Sequence, residues 1–128
     1  MVIQLNHTIV NVRDRHASAQ FLVDILGLEQ PTTYGPFVVV QVDNEVSLDY
    51  ADDHGKPHSQ HYAFMVGDEQ FDEILERIVA RGLTYWADPF HRKEGEINTN
   101  DGGRGLYWND PDGHNLEIIT VPYGGPVR

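Results

Sequence analysis

Polar and apolar positions alternate along residues 4–12. Thr8, Val10 and Val12 fall on one side of this stretch and His7, Ile9 and Asn11 on the other, the period of a half-buried strand. Asp14 stands where a helix N-cap belongs. Ala17, Phe21, Leu22, Ile25 and Leu26 then recur on one helical face, and Gly27 ends the helix. The same order returns further on. Tyr62, Phe64 and Val66 lie opposite His61, Ala63 and Met65, and Asp68 takes the cap position. Phe71, Ile74, Leu75, Ile78 and Val79 form the apolar stripe, with Gly82 as the stop. Laying His7 on His61 brings Val12 onto Val66 and Asp14 onto Asp68. Gly27-Leu28 then meets Gly82-Leu83 after a one-residue slip, so the chain reads as an internal repeat.

Three short strands are expected after each helix: residues 29–33, 37–42 and 45–50 in the first half, and 84–87, 104–108 and 115–121 in the second. Each half is then β-α-β-β-β. The expected fold class is α+β: one domain over residues 1–128, made of two paired βαβββ modules at about 1–53 and 59–122. Their strands form a curved mixed sheet around a pocket, with the helices on the outer face. Val10, Val12, Phe64 and Val66 face the helices, which leaves the His7 and His61 face to curve around a ligand. Residues 51–60, rich in Asp, His, Gly and Pro, read as the hinge. Residues 88–103 form a polar, Gly-rich segment longer than a connector needs, which suits a lid. Residues 122–128 are expected to trail over the surface.

Gly105 to Glu117 reads as a strand, a tight turn at Asp110-Pro111-Asp112-Gly113, and a second strand. Pro presets φ there and Gly accepts a positive one. Glu117 lies among Leu116, Ile118 and Ile119. A carboxylate in that setting costs free energy unless it is paired or bound to a cation.

Composition narrows what such a cation site can be made of. The chain has no cysteine, which excludes disulfides, thiolate ligands and a cysteine nucleophile, so a metal here must use His, Asp or Glu. The net charge of −11 argues against nucleic acid and anionic membrane surfaces as partners. The N-terminus lacks the basic-then-apolar pattern of a leader, and no apolar run approaches membrane length, so the cytoplasm is the expected location.

His7 and His61 occupy matching positions of the repeat, and Glu117 lies on a last strand with its side chain expected opposite Leu116 and Ile118. Two imidazoles and one carboxylate, with positions left open, suit one divalent first-row ion: Fe(II), Mn(II), Zn(II) or Ni(II). A small-molecule substrate with two neighbouring oxygens would chelate the ion, which would stabilise negative charge developing on one of them. A single His on a strand is most often a structural residue; the repeat is what favours the metal reading. Asp49, matched to Glu117, is a candidate fourth ligand, though a strand-end surface residue is the simpler reading. Tyr107 is the candidate catalytic group, able to orient substrate or transfer a proton, and reads equally well as a buried aromatic. Trp108 has core parity. His16, His54, His58 and His114 read as solvated, and His91 as a loop residue.

These residues resemble the vicinal oxygen chelate superfamily of glyoxalases, extradiol dioxygenases, fosfomycin-resistance transferases and bleomycin-resistance proteins. The resemblance runs from Leu5-Asn6-His7 through His61-Tyr62-Ala63-Phe64 to Asp110-Pro111-Asp112-Gly113-His114-Asn115-Leu116-Glu117. It implies paired βαβββ modules, a metal triad at His7, His61 and Glu117, and a homodimer with the pocket near the subunit interface. The chain also departs from the individual branches. Asn98, Thr99 and Asn100 stand where the extradiol pattern has a histidine, Ile9 replaces a threonine of the fosfomycin enzymes, and their potassium loop has no counterpart in residues 93–105. The expected function is a metal-dependent enzyme acting on a small oxygen-rich molecule by lyase, transferase or dioxygenase chemistry. The alternative is a non-catalytic protein that sequesters an antibiotic or aromatic metabolite against side chains such as Tyr34, Tyr85, Trp86 and Phe90.

Overall fold

In the computed structural model, residues 2–125 are described. The chain divides into two compact units, one running to His58 and the other beginning at Ser59.

In the first unit the alternating stretch forms β1 (His7–Val12). It is shorter than the residues 4–12 expected, although Asn6 still accepts the Ser47 N–H at 3.0 Å and so extends the ladder by one bond. Val10 and Val12 are buried while His7, Ile9 and Asn11 are exposed, as the alternation predicted. Helix α1 (Arg15–Leu26) follows. The Asp14 carboxylate caps it by accepting the N–H groups of His16 and Ala17, both at 3.1 Å, and Gly27 closes it at φ 73°. The buried face of α1 is Ser18, Ala19, Leu22, Val23 and Ile25. This corrects the expected stripe, since Ala17 is exposed and Phe21 and Leu26 are only half-buried. Ser18 and Ala19, both small, take buried places where the larger Phe21 and Leu26 were expected. Strands β2 (Thr32–Tyr34), β3 (Phe37–Gln41) and β4 (Ser47–Asp52) complete the unit. The strand order is β1-β4-β3-β2, with β1 and β4 parallel and the other neighbours antiparallel.

The second unit repeats this plan: β5 (His61–Met65), α2 (Asp68–Ala80), β6 (Tyr85–Trp86), β7 (Gly105–Asn109) and β8 (Asn115–Ile119), in the order β5-β8-β7-β6. Strands β5 and β8 are parallel and the other neighbours antiparallel. The two mixed sheets with two helices make an α+β fold of βαβββ modules, as expected.

The start of α2 corrects the expected cap. Gly67, not Asp68, is the N-cap, and with no side chain it cannot bond the first turn itself. The Gln70 side chain reaches back instead and accepts the Gly67 N–H at 2.8 Å, while Asp68 and Glu69 set negative charge at the helix start. Phe71, Ile74 and Ile78 are buried; Leu75 is half-buried and Val79 exposed. Arg104 leads into β7 with its guanidinium 4.4 Å from the Phe71 ring centre, and it binds the Asp72 carboxylate at 2.7 Å.

The segment between β6 and β7 is fastened rather than loose. Ala87 and Gly95 donate backbone bonds to Lys93 and Tyr85, and Asn98 and Gly105 exchange two bonds at 2.9 and 3.0 Å. A Cβ on Gly105 would lie 2.9 Å from the Asn98 amide, so a side chain there would push that amide aside. The His91 ring stacks on Trp86 with centroids 3.7 Å apart. The segment expected as a lid is thus tied to its neighbours by hydrogen bonds and by the ring stack. Part of the expected C-terminal tail, residues 126–128, lies outside the described residues. No helix among the described residues is long and apolar enough to cross a membrane.

Candidate metal centre

The turn after β7 sets the register on which the site depends. The Asp110 carboxylate accepts the N–H groups of Asp112 at 2.9 Å and His114 at 2.8 Å, and Gly113 takes φ 84° to close the turn. Burial raises the Asp110 pKa, and the His114 N–H bond opposes that rise. His114 then anchors β5. Its Nδ1 accepts the Gln60 N–H at 2.9 Å, and Gln60 accepts the Asn115 N–H at 2.8 Å. At 1% exposed, His114 is a buried structural residue. That corrects the solvated reading: its place in a tight turn concealed a role as the acceptor for a strand end.

With the register fixed, Ala63 pairs with Glu117, and Glu117 with Tyr107 on the opposite side. Glu117 therefore lies on the strand between β5 and β7. His61, two positions before Ala63, shares its face, and Ala63 is small enough to leave that space open. The His61 Nε2 comes to 2.9 Å from Glu117 Oε1. The imidazole is 43% exposed and the carboxylate 1%. Leu116 and Ile118 are buried as well, so β8 is covered on both faces.

Two residues complete the surroundings of the carboxylate. Tyr107 is 5% exposed, and its ring lies 5.8 Å from that of His61. Tyr123 comes from beyond β8 and places its hydroxyl 2.8 Å from each Glu117 oxygen. The two phenols are 3.4 Å apart. Burial, and then the Tyr123 bond, raise the Tyr107 pKa well above its ordinary value; burial also raises that of Tyr123. Both therefore act at neutral pH as hydrogen-bond donors. Sequence reading missed Tyr123, because Pro-Tyr-Gly-Gly at the end of a chain carries the signal of a fraying tail.

A cavity of about 350 Å³ opens beside Tyr107, with Ala87, Asp88, Lys93, Glu96, Asn98 and Thr99 among its walls. Tyr107 thus borders both the cavity and the His61–Glu117 pair.

The other sequence candidates fall elsewhere. His7 lies on β1 in the first unit, exposed, with Nδ1 2.8 Å from Oδ1 of the preceding residue, Asn6. Asp49 is not at a strand end: it is the third residue of β4, half-buried, and it accepts the Ser47 hydroxyl at 2.8 Å. Among the described residues no group of three or more His, Asp or Glu side chains is set as a metal cluster.

The geometry of the His61–Glu117 pair still suits a cation. Nitrogen and oxygen donors about 2.1 Å from one ion, at right angles, lie about 3 Å from each other, close to the 2.9 Å between Nε2 and Oε1. A neutral imidazole and a carboxylate are also the donor types such ions take.

This α+β fold of repeated βαβββ units with an acid on the last strand defines a class. The chain belongs to the Glyoxalase/Bleomycin resistance protein/Dioxygenase superfamily, whose sequence pattern it matches over residues 4–118. Among solved structures it is similar to Oxidase ChaP-H1, at 66% identity and TM-score 0.95, with 97% of this chain and 100% of that one covered. Oxidase ChaP-H2 is similar at 61% identity and TM-score 0.96, over 99% of this chain and 100% of that one. The glutathione transferase FosA of Serratia marcescens is 29% identical over 124 residues, covering 92% of this chain and 81% of that protein.

Proposed function

We propose that this protein is a metal-dependent oxidase acting on a small molecule that bears neighbouring oxygens. The observation that carries the reading is the exposed His61 imidazole set at coordinating separation from the buried Glu117 carboxylate. The likeness to two proteins named oxidases, at 66% and 61% identity, supports oxidation over lyase or transferase chemistry. His61 and Glu117 supply two donors, and His7, at the matching position of the repeat, supplies the third. Two histidines and one carboxylate with open positions are the donor set of Fe(II) oxygenases. Zinc has no redox chemistry of its own, so iron or manganese fits an oxidase better. When bound, such an ion supplies a site where substrate oxygens and dioxygen can be activated together.

The protein's own groups do the rest. Tyr107 stands at the boundary of site and cavity, where its phenol oxygen can accept a hydrogen bond from substrate while its proton goes to Tyr123. The cavity wall of Asp88, Lys93, Asn98 and Thr99 offers polar contacts to a hydroxylated or carbonyl-bearing substrate. Fastening of residues 88–103 keeps that wall in place before substrate arrives, which lowers the ordering cost of binding. The assembly proposed is a homodimer, as the family resemblance implies, with His7 joining His61 and Glu117 from its own copy or from the other.

Elemental analysis of protein purified without added metal tests the centre. About one ion per chain is expected, with loss of the ion in His61→Ala. Protein that carries no ion, and takes up neither Fe(II) nor Mn(II), would refute the reading. Mixing His7→Ala with Glu117→Ala chains tests the shared site. A mixed dimer then has one whole site and regains metal, whereas a site built within one chain regains none.

A further inference from the structure

We propose that Tyr123 is a positioning residue that turns the Glu117 carboxylate so that Oε1, beside His61, is offered to a cation while Oε2 stays bonded to the phenol. This inference rests on the metal-dependent reading above. The last torsion of a glutamate is broad, so the chain of Glu117 does not by itself fix the plane of its carboxylate. Something must hold it, and the Tyr123 hydroxyl lies 2.8 Å from both oxygens. A phenol has one proton. With that proton directed to the carboxylate, the 3.4 Å contact to Tyr107 has Tyr107 as donor and Tyr123 as acceptor. The hydrogen bonds therefore run in one direction, from Tyr107 to Tyr123 to Glu117.

The segment after β8 is shaped to make this contact. Gly125 donates its N–H to the Pro122 carbonyl at 3.0 Å, which closes a four-residue turn with Tyr123 and Gly124 at its centre. Gly124 takes φ 82°, the value that the third position of a type II turn requires. Tyr123 is 52% exposed as a residue, yet its hydroxyl reaches a carboxylate that is 1% exposed. A surface turn thus holds one polar atom inward. The hydroxyl, now 2.8 Å from both oxygens, would keep its bond to Oε2 if an ion took Oε1, leaving the carboxylate one oxygen to offer.

The test is a cobalt(II) titration of the full chain, read by dissociation constant and by visible absorption. Tyr123→Phe keeps the ring and removes the hydroxyl. Its expected dissociation constant is weaker by about 10–100-fold, the usual cost of losing a partner behind a ligand, with the melting temperature of the metal-free protein near that of wild type. The absorption bands shift as well, because the released carboxylate can bind through both oxygens. Gly124→Ala strains the turn and leaves the phenol intact, so it weakens binding in the same direction by less. Equal or tighter cobalt binding by Tyr123→Phe overturns the proposal, tighter binding because it means the phenol competes with the ion. If wild type takes up no cobalt, iron or manganese, the functional reading falls and this inference with it. A wild type that binds beside an unchanged variant removes this inference alone.

Discussion

The two units share a strand order and a mixture of parallel and antiparallel neighbours, but their central acids meet different surroundings. Asp49 pairs in register with Ile9 and Val39; Glu117 pairs with Ala63 and Tyr107. Asp49 bonds to Ser47 on its own strand, and His7 bonds to Asn6 beside it. Glu117 bonds instead to His61 across the ladder and to Tyr123 from beyond it. A small residue on one neighbouring strand, a phenol on the other and one extra methylene make the difference. The backbone repeat supplies equivalent positions, and side-chain size decides which of them can hold chemistry.

The strongest way to break this contrast is to remove each acid in turn. Glu117→Gln should abolish metal retention, an effect beyond the roughly 10–100-fold of losing a partner behind a ligand, while Asp49→Asn should leave metal content unchanged. Equal loss in both, by elemental analysis, would show that Asp49 is a ligand as well.

Next in size is the helix comparison. Phe71 and Ala17 are matched in the repeat, but Phe71 is buried and Ala17 exposed. Phe71→Ala should lower unfolding free energy by about 3–5 kcal/mol in urea melts, and Ala17→Ser should stay within about 0.5 kcal/mol. Comparable losses would mean that α1 buries a wider face than Ser18 to Ile25.

The caps differ more gently. Asp14→Ala should cost about 1 kcal/mol, because its carboxylate serves two N–H groups of the first turn. Gln70→Ala should cost less by the same measurement, since its side chain serves the single N–H of Gly67.

The smallest effects concern pH, and here the units have opposite signs. The Arg15 backbone N–H, with the guanidinium, lowers the Asp52 pKa. Its stabilising contribution is complete above its ordinary value of 3.8 and is lost as pH falls through the lowered folded value. Burial raises the pKa of Asp110, so the folded state holds that proton more tightly than the unfolded chain. Stability from this group is greatest at or below 3.8 and declines as pH rises through the raised folded value. Denaturant midpoints followed from pH 3 upward should show a flatter acid limb in Asp52→Asn and loss of the opposite slope in Asp110→Asn. The same slope in both variants would contradict the assignment.

Much of this was present in the order of residues. The repeat, the Asp14 cap, the Gly27 stop, the Asp-Pro-Asp-Gly turn and the core parity of Trp108 are local features, set by periods of two and 3.6 and by backbone conformations few residues adopt. Those rules also marked Glu117 as an acid in need of a partner. The edges of elements were less legible: β1 begins three residues later than its alternation suggests, because the alternation runs on through Gln4 and Leu5, beyond the ladder bond that Asn6 accepts from Ser47.

Tertiary structure decided what meets what. His114 reads as a turn residue, yet it is buried because Gln60, distant along the chain, needs an acceptor at the start of β5. Tyr123 reads as part of a tail, yet it touches both oxygens of Glu117. The bonds that join them to the site span strands and turns, and pairing across a ladder depends on register, which no single stretch of sequence contains.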